Sequence, residues 1–286
     1  MFVRRNLICC APVYQASTEE QLPNAKEFWV EFWTDLARSL AFLSRLPVPA
    51  RFFEGHDGTV SRACRAFPLA GALVAVPPAL ILLVLGHQTV APLMVALMAL
   101  ALMAGLTGGL HEDGLADCAD GLGGGRDKEH ALAIMKDSRT GSYGVLALIL
   151  SVGLRASALS ALVLAGSAWL GALAFVTAAA VSRALMVWHW SALAPARANG
   201  TAVAVGQPHP DARVFALVSA AILAFVCLGA SIGLVQLLLS LVVAALSAHL
   251  FTRFVAQKIG GHTGDTIGAT QQITETALLC ALVITL

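Results

Sequence analysis

Residues 214–250 run for 37 positions without one Asp, Glu, Lys or Arg. As a single helix this run would be about 55 Å long at 1.5 Å per residue. The apolar core of a bilayer is only about 30 Å thick. Two helices fit better, although the run is slightly short for two full spans. Gly229 and Gly233 stand near its middle, so it reads as a tight hairpin of two short membrane helices. Four further runs, 66–86, 90–110, 143–165 and 168–190, each supply the roughly 20 apolar residues a span needs. A shorter segment, 273–286, reads as a last span. Pro77-Pro78 lie inside the first span and predict a kink there, which membrane helices tolerate. Composition agrees, with 58% hydrophobic and 12% charged residues in a chain of 286 and a mean hydropathy of +0.78. A soluble domain carries about 25% charge, so a soluble fold is excluded, and so is disorder. The expected fold class is all-α: a polytopic membrane bundle of about six or seven transmembrane helices.

The charges set the topology. Turns near 86–90, 165–168 and 229–233 hold no Lys, Arg, Asp or Glu, whereas the connections 35–65, 111–139, 197–213 and 253–275 are all charged. If each uncharged turn is the far end of a hairpin, every charged loop falls on one side. The positive-inside rule makes that side cytoplasmic. A one-sided polar face suits a membrane enzyme with cytosolic substrates. The net charge of +1, with no recognisable motif, gives no reason to expect nucleic acid. The six cysteines show no paired spacing and read as apolar fillers. Residues 1–26 lack the apolar core of a signal peptide and are left as a tail of unassigned role. Residues 27–286 read as a single membrane-embedded domain with active-site loops at 111–142, 191–213 and 253–272. Within it, 27–45 mixes charges with aromatics, and Phe28, Phe32, Leu36, Leu40 and Leu43 share one helical stripe. This segment reads as an interfacial amphipathic helix lying on membrane lipid, ended by Leu46-Pro47-Val48-Pro49.

Chemistry concentrates in 107–143, which holds seven of the chain's 17 acids and the cations Arg126, Lys128, Lys136 and Arg139. Asp113, Asp117 and Asp120 stand at i, i+4 and i+7, on one face of an otherwise apolar helix. Three carboxylates this close raise one another's pKa, and a hard divalent cation removes the conflict. Oxygen-only ligands suit Mg²⁺, held by a few carboxylates together with substrate phosphates. Gly121, Gly123, Gly124 and Gly125 follow. Glycines let backbone N–H groups approach an anion, so the segment reads as a diphosphate site. Neither a Walker A motif nor GxGxxG fits it. Arg155 lies about ten residues inside a span, where a charge is a functional candidate. Arg183 is nearer its helix end, within reach of the interface by snorkelling. Gly260-Gly261-His262-Thr263-Gly264-Asp265 forms a second Gly-rich acidic turn on the same face, with Gln271, Gln272 and Glu275 placed to complete the site. His111, His130 and His262 are each open to a role as base or as structural histidine.

These residues carry a resemblance. The segments 111–121 (His-Glu-Asp-Gly-Leu-Ala-Asp-Cys-Ala-Asp-Gly) and 134–144 (Ile-Met-Lys-Asp-Ser-Arg-Thr-Gly-Ser-Tyr-Gly) are similar to the signature of the cobalamin synthase family, the adenosylcobinamide-GDP ribazoletransferases. So are 43–49, 65–71, 260–269 and the pair Ser182-Arg183, in order from about residue 28 onward. Cys118 stands where the family more often has Thr. The resemblance implies a Mg²⁺-dependent phosphoryl transfer in the bacterial cytoplasmic membrane, with its active site on the cytoplasmic face. Adenosylcobinamide-GDP and α-ribazole or its 5′-phosphate are joined, GMP leaves, and other enzymes of nucleotide-loop assembly are potential partners. On this reading Asp113, Asp117 and Asp120 hold Mg²⁺ on the diphosphate. Asp120, Asp137 and Asp265 are the catalytic candidates, with Asp137 or Asp265 to hold metal or take the hydroxyl proton. Gly121, Gly123, Gly124, Lys136, Arg139, Arg155, Arg183 and His262 are the substrate-binding candidates.

Two other classes compete. Asp117-Cys-Ala-Asp120-Gly121 echoes the spacing of CDP-alcohol phosphotransferases, although Gly124-Gly125 occupy the place of their Ala-Arg pair. Aromatic prenyltransferases also bind diphosphate through aspartates, usually by two such motifs. In a transporter, Arg155 and Arg183 would line a path, but no inverted repeat or broken helix pair is apparent.

Overall fold

A computed structural model of the chain describes residues 25–165, 167–198 and 201–286. The tail assigned to 1–26 lies almost wholly outside the described residues. In chain order the helices are α1 (Ala25–Leu43), α2 (Phe67–Leu85), α3 (Pro92–Thr107), α4 (Leu110–Gly124), α5 (Lys128–Ile134), α6 (Ser142–Ala165), α7 (Ala168–Ala192), α8 (Thr201–Ala204), α9 (Pro210–Ile232), α10 (Leu234–Ile259) and α11 (Gly264–Thr285). No strand occurs among the described residues, only one isolated bridge, Pro195 to His262.

Six helices (α2, α6, α7, α9, α10, α11) are long and apolar enough to cross a membrane, and the pair α3–α4, bent by 92°, makes up to a seventh. The chain is a multi-pass helical membrane protein. The sequence shows no broken helix pair, yet α3 and α4 form one: the acidic α4 turns away from the apolar α3 where Gly108 and Gly109 stand. α7 is the buried centre, packed against α2, α6, α9, α10 and α11. Its alanines 174, 178, 179, 180 and 184 are fully or nearly buried. Small side chains let helix backbones approach closely where lipid removes the usual hydrophobic drive.

The three uncharged turns join consecutive helices as expected. The 37-residue run turns at Gly233 alone, whose φ of +85° suits a residue without a Cβ. Its two helices are longer than the run, because α10 continues through Arg253 and Lys258 to Ile259. α2 continues as one helix through Pro77 and Pro78. The expected loop 253–272 is mostly helix: α10 and α11 are separated only by 260–263. The last span therefore starts at Gly264, nine residues before the apolar segment at 273. α1 forms where expected, but its stripe faces protein. Phe32, Leu36 and Leu43 pack with Phe67, Met186, Trp190 and Ala216, and Asp35 pairs with Arg65 at 2.7 Å. Trp29 and Trp33 stay exposed instead.

Candidate active site

α4 is set by two glycines. Gly108 and Gly109 have φ of +68° and +71°, a left-handed pair that ends α3 and turns the chain into α4. Arg45 fills the space beside Gly108, where a Cβ would lie 2.2 Å from Nε. α4 then crosses α11 backbone to backbone. A Cβ on Gly114 would meet the Asp265 carbonyl oxygen at 3.0 Å and the Gly268 Cα at 3.3 Å. α11 begins at this crossing because Gly260 (φ +71°) stops α10 and Thr263 caps α11 in a reciprocal capping box with Thr266.

The crossing brings Asp113 and Asp117 of α4 to Asp265 of α11. Burial and the charges of Asp113, Asp265 and Asp120 push the Asp117 carboxyl up to about 6. Asp265 belongs to this cluster although it lies 148 and 152 positions from the other two in sequence. Among the described residues no three Asp, Glu, His or Cys side chains close into a ready-made metal cage.

Asp120 faces another way. Its two carboxylate oxygens accept the backbone N–H groups of Gly141 (2.7 Å) and Gly144 (2.9 Å) at the start of α6. A Cβ on either glycine would collide with that carboxylate. The third member of the expected metal stripe thus anchors a helix N-terminus, where a negative charge is favourable. The glycines expected to cradle phosphate are also otherwise engaged. Gly121, Gly123 and Gly124 are helical residues of α4, so their N–H groups are spent inside the helix. Gly121 lies against Met135 and Ala131, and Gly123 against the Tyr143 ring. Their lack of side chains lets α5 and α6 pack on α4.

Lys136 and Arg139 are exposed on the loop after α5. Arg139 Nη2 donates to Asp137 at 2.6 Å, and this bond holds the Asp137 carboxyl down at about 2. So strong an acid is poorly matched to taking a proton near neutral pH. His262 is buried in the turn between α10 and α11. Its N–H donates to the Ala194 carbonyl at 2.9 Å, and its carbonyl accepts from Ala196 at 2.8 Å. Burial pushes its imidazole down to about 4, so it ties two loops together rather than facing substrate as a cation.

Arg155 and Arg183 lie deep among the helices, each 2% exposed. Their guanidinium groups converge on Glu275 of α11 at 3.0 and 2.8 Å. Arg155 also faces Glu112 at 3.6 Å. Gln272 donates to Glu112 at 3.0 Å, and Gln271 donates to Ser182 at 3.1 Å. Two cations and two anions balance, which is how apolar helices tolerate them. The expected phosphate-binding arginines are therefore held by carboxylates, and neither guanidinium snorkels. His111 sits beside them, kept neutral by burial and by the charges of Arg183 and Arg155.

Two cavities meet at Phe42, Leu110 and Asp113. One, of about 320 Å³, is lined by Phe67, His111, Trp190 and Asp265 as well. The other, of about 620 Å³, adds Arg45, Glu112 and Thr140. Arg45, Trp190 and Glu112 had no role in the sequence reading. Only the fold shows that residues 42–45 and 190 reach the acidic helix.

A family model described as "Cobalamin-5-phosphate synthase" matches residues 35–283. The chain is 56% identical to "Adenosylcobinamide-GDP ribazoletransferase" of Sinorhizobium medicae over 253 residues, covering 88% of this chain and 97% of the relative. It is 54% identical to the protein of that name in Rhizobium meliloti, with the same coverage. With the one in Brucella anthropi the identity is 43%, again over 88% and 97%. No solved structure matches the chain.

Proposed function

The chain belongs to the cobalamin-5-phosphate synthase family and is a transferase, and on that premise we propose that it joins adenosylcobinamide-GDP to α-ribazole or its 5′-phosphate with release of GMP. The supporting observation is that Asp113 and Asp117 of α4 meet Asp265 of α11 where two cavities of different character adjoin. The site would open to the cytoplasm of a bacterial inner membrane, since every charged connection lies at this end.

Phosphoryl transfer asks a protein mainly for alignment and charge neutralisation. Asp113 and Asp117 suit a Mg²⁺ ion: the donors are all oxygen, the repulsion within the cluster raises Asp117, and the neighbouring Asp265 is left free of the metal to act as base. The open cluster leaves room for the waters and substrate phosphates that Mg²⁺ keeps. When bound, the ion would neutralise diphosphate charge. Arg45 and Thr140 of the wider cleft face the same phosphates, and the exposed Lys136 and Arg139 attract the anionic donor. The ribazole 3′-hydroxyl oxygen bonds to the phosphorus nearest the corrinoid. The bond from that phosphorus to GMP breaks, and the hydroxyl proton passes to Asp265.

Purified protein in liposomes is expected to release GMP only when both substrates and Mg²⁺ are present. Release without acceptor would make the protein a hydrolase instead. Acid should weaken the metal requirement's fulfilment in a defined window. Mg²⁺ binds the ionised carboxylate, and Asp117 takes up its proton as pH falls through about 6. The half-saturating Mg²⁺ concentration is therefore expected to rise about tenfold from pH 7 to pH 5 and to stay flat above pH 7. Metal titrations of GMP release across that range measure it.

A further inference from the structure

We infer that α1 is seated in the phospholipid headgroup layer through Trp29 and Trp33, on the side of the membrane that carries the charged connections. The stripe expected to meet lipid packs inside the protein. A second flank, next to it on the helix, meets the lipid instead.

Trp29, Trp33, Ala37 and Leu40 follow one another at intervals of four, four and three residues, which stacks them along one side of a helix. Trp29 is 54% exposed and Trp33 58% exposed. Leu40, at the other end of this flank, packs against the core cluster of the spanning helices. The flank therefore runs from the transmembrane core out to two tryptophans. The opposite flank is polar: Glu31, Thr34 and Arg38 line a separate cavity of about 410 Å³ with His56 and Asp57. An apolar flank on one side of the buried stripe and a polar flank on the other suit a helix that lies along a membrane surface.

The contacts of α1 fix its level. The Phe28 and Phe32 rings lie 6.2 and 5.5 Å from the Phe215 ring, and Trp29 meets Phe32 edge-on at 6.0 Å. Phe215 stands in the first turns of α9, just after the charged connection 197–213. Val214 and Val218 beside it are 53% and 52% exposed, as the lipid-facing residues of a span are. The two tryptophans thus stand where α9 enters the bilayer. Tryptophan is favoured at that depth, because its ring is apolar and its N–H stays wet. Lipid surrounds the exposed face of α9 and is the occupant that this position favours over a soluble partner. Anchoring also sets the level of the site, because α1 leads through Phe42 to Arg45, and both border the wider cleft.

Fluorescence of the full chain in phosphatidylcholine vesicles tests this without any turnover. The chain has five tryptophans, so the signal of these two is taken as wild type minus the Trp29→Phe/Trp33→Phe variant, which keeps an aromatic ring at both exposed positions. The two single variants each remove one reporter and check the subtraction. The difference spectrum is expected to lie to the blue of tryptophan in water. It should lose most of its intensity in vesicles whose acyl chains carry bromine close to the headgroup, and less when the bromine is near the chain ends. Iodide on both sides of the vesicle should quench it little. Strong quenching by iodide without quenching by bromine would put the flank in water and overturn the assignment. A signal insensitive to both quenchers would mean that a second copy or another part of the chain covers the flank, and would overturn it equally.

Discussion

Replacing Asp265 by asparagine is expected to slow GMP release by about 10²–10³-fold, the usual cost of deleting one group that stabilises a phosphoryl-transfer or oxyanion transition state. The substitution keeps the side-chain shape and the oxygen that accepts from the Thr263 hydroxyl at 3.2 Å. The capping box of Thr263 and Thr266 does not involve the side chain of Asp265, so α11 should start at the same residue. What is lost is one of three clustered charges. Thermal unfolding in detergent is therefore expected to match the wild type or improve slightly, because the variant relieves repulsion at Asp117. A variant both inactive and unstable would instead make Asp265 a structural residue.

The second large effect is on stability. Glu275→Ala is expected to destabilise the bundle by about 3–5 kcal/mol, because it leaves two buried guanidinium groups without their shared carboxylate. Glu275 is 1% exposed and receives Arg155, Arg183 and Gln271. These links tie α6, α7 and α11 together beneath α4. The variant should unfold at a clearly lower temperature in detergent, whereas Lys136→Ala, on an exposed loop, should leave unfolding unchanged. If Glu275→Ala melted like the wild type, the two arginines would be solvated, and their expected role on phosphate would regain its footing.

The sequence was most readable where one residue's environment depends on its chain neighbours. Apolar runs located the spans, and the absence of charge located the turns at 86–90, 165–168 and 229–233. The periodicity of Asp113 and Asp117 placed both on one face of α4. Hydropathy failed at 264–272 because Gln271 and Gln272, like Glu275 just beyond them, look like loop residues but are buried. Their partners sit on α4, α6 and α7, about 90–160 positions away, and no local average contains them. Asp120 shows the same limit. Spacing put it on the acidic face, but its partners are Gly141 and Gly144, supplied by the return of the chain into α6. The glycines at 121–124 carried a real signal of close approach. The approaching groups are Met135, Ala131 and Tyr143 rather than an anion. Trp190 and Arg45 gave no chemical signal alone, and only the fold shows what they adjoin.

The most direct test is a double-mutant cycle of Asp117→Asn and Asp265→Asn, read as Mg²⁺-dependent GMP release. Residues acting as one unit are strongly non-additive, whereas independent sites add within a few tenths of a kcal/mol. Carboxylates from α4 and α11 that serve one site should give a double variant about as slow as the slower single one. Rate losses that multiply, or either single variant at full Mg²⁺-dependent rate, would contradict a shared site at the crossing of α4 and α11.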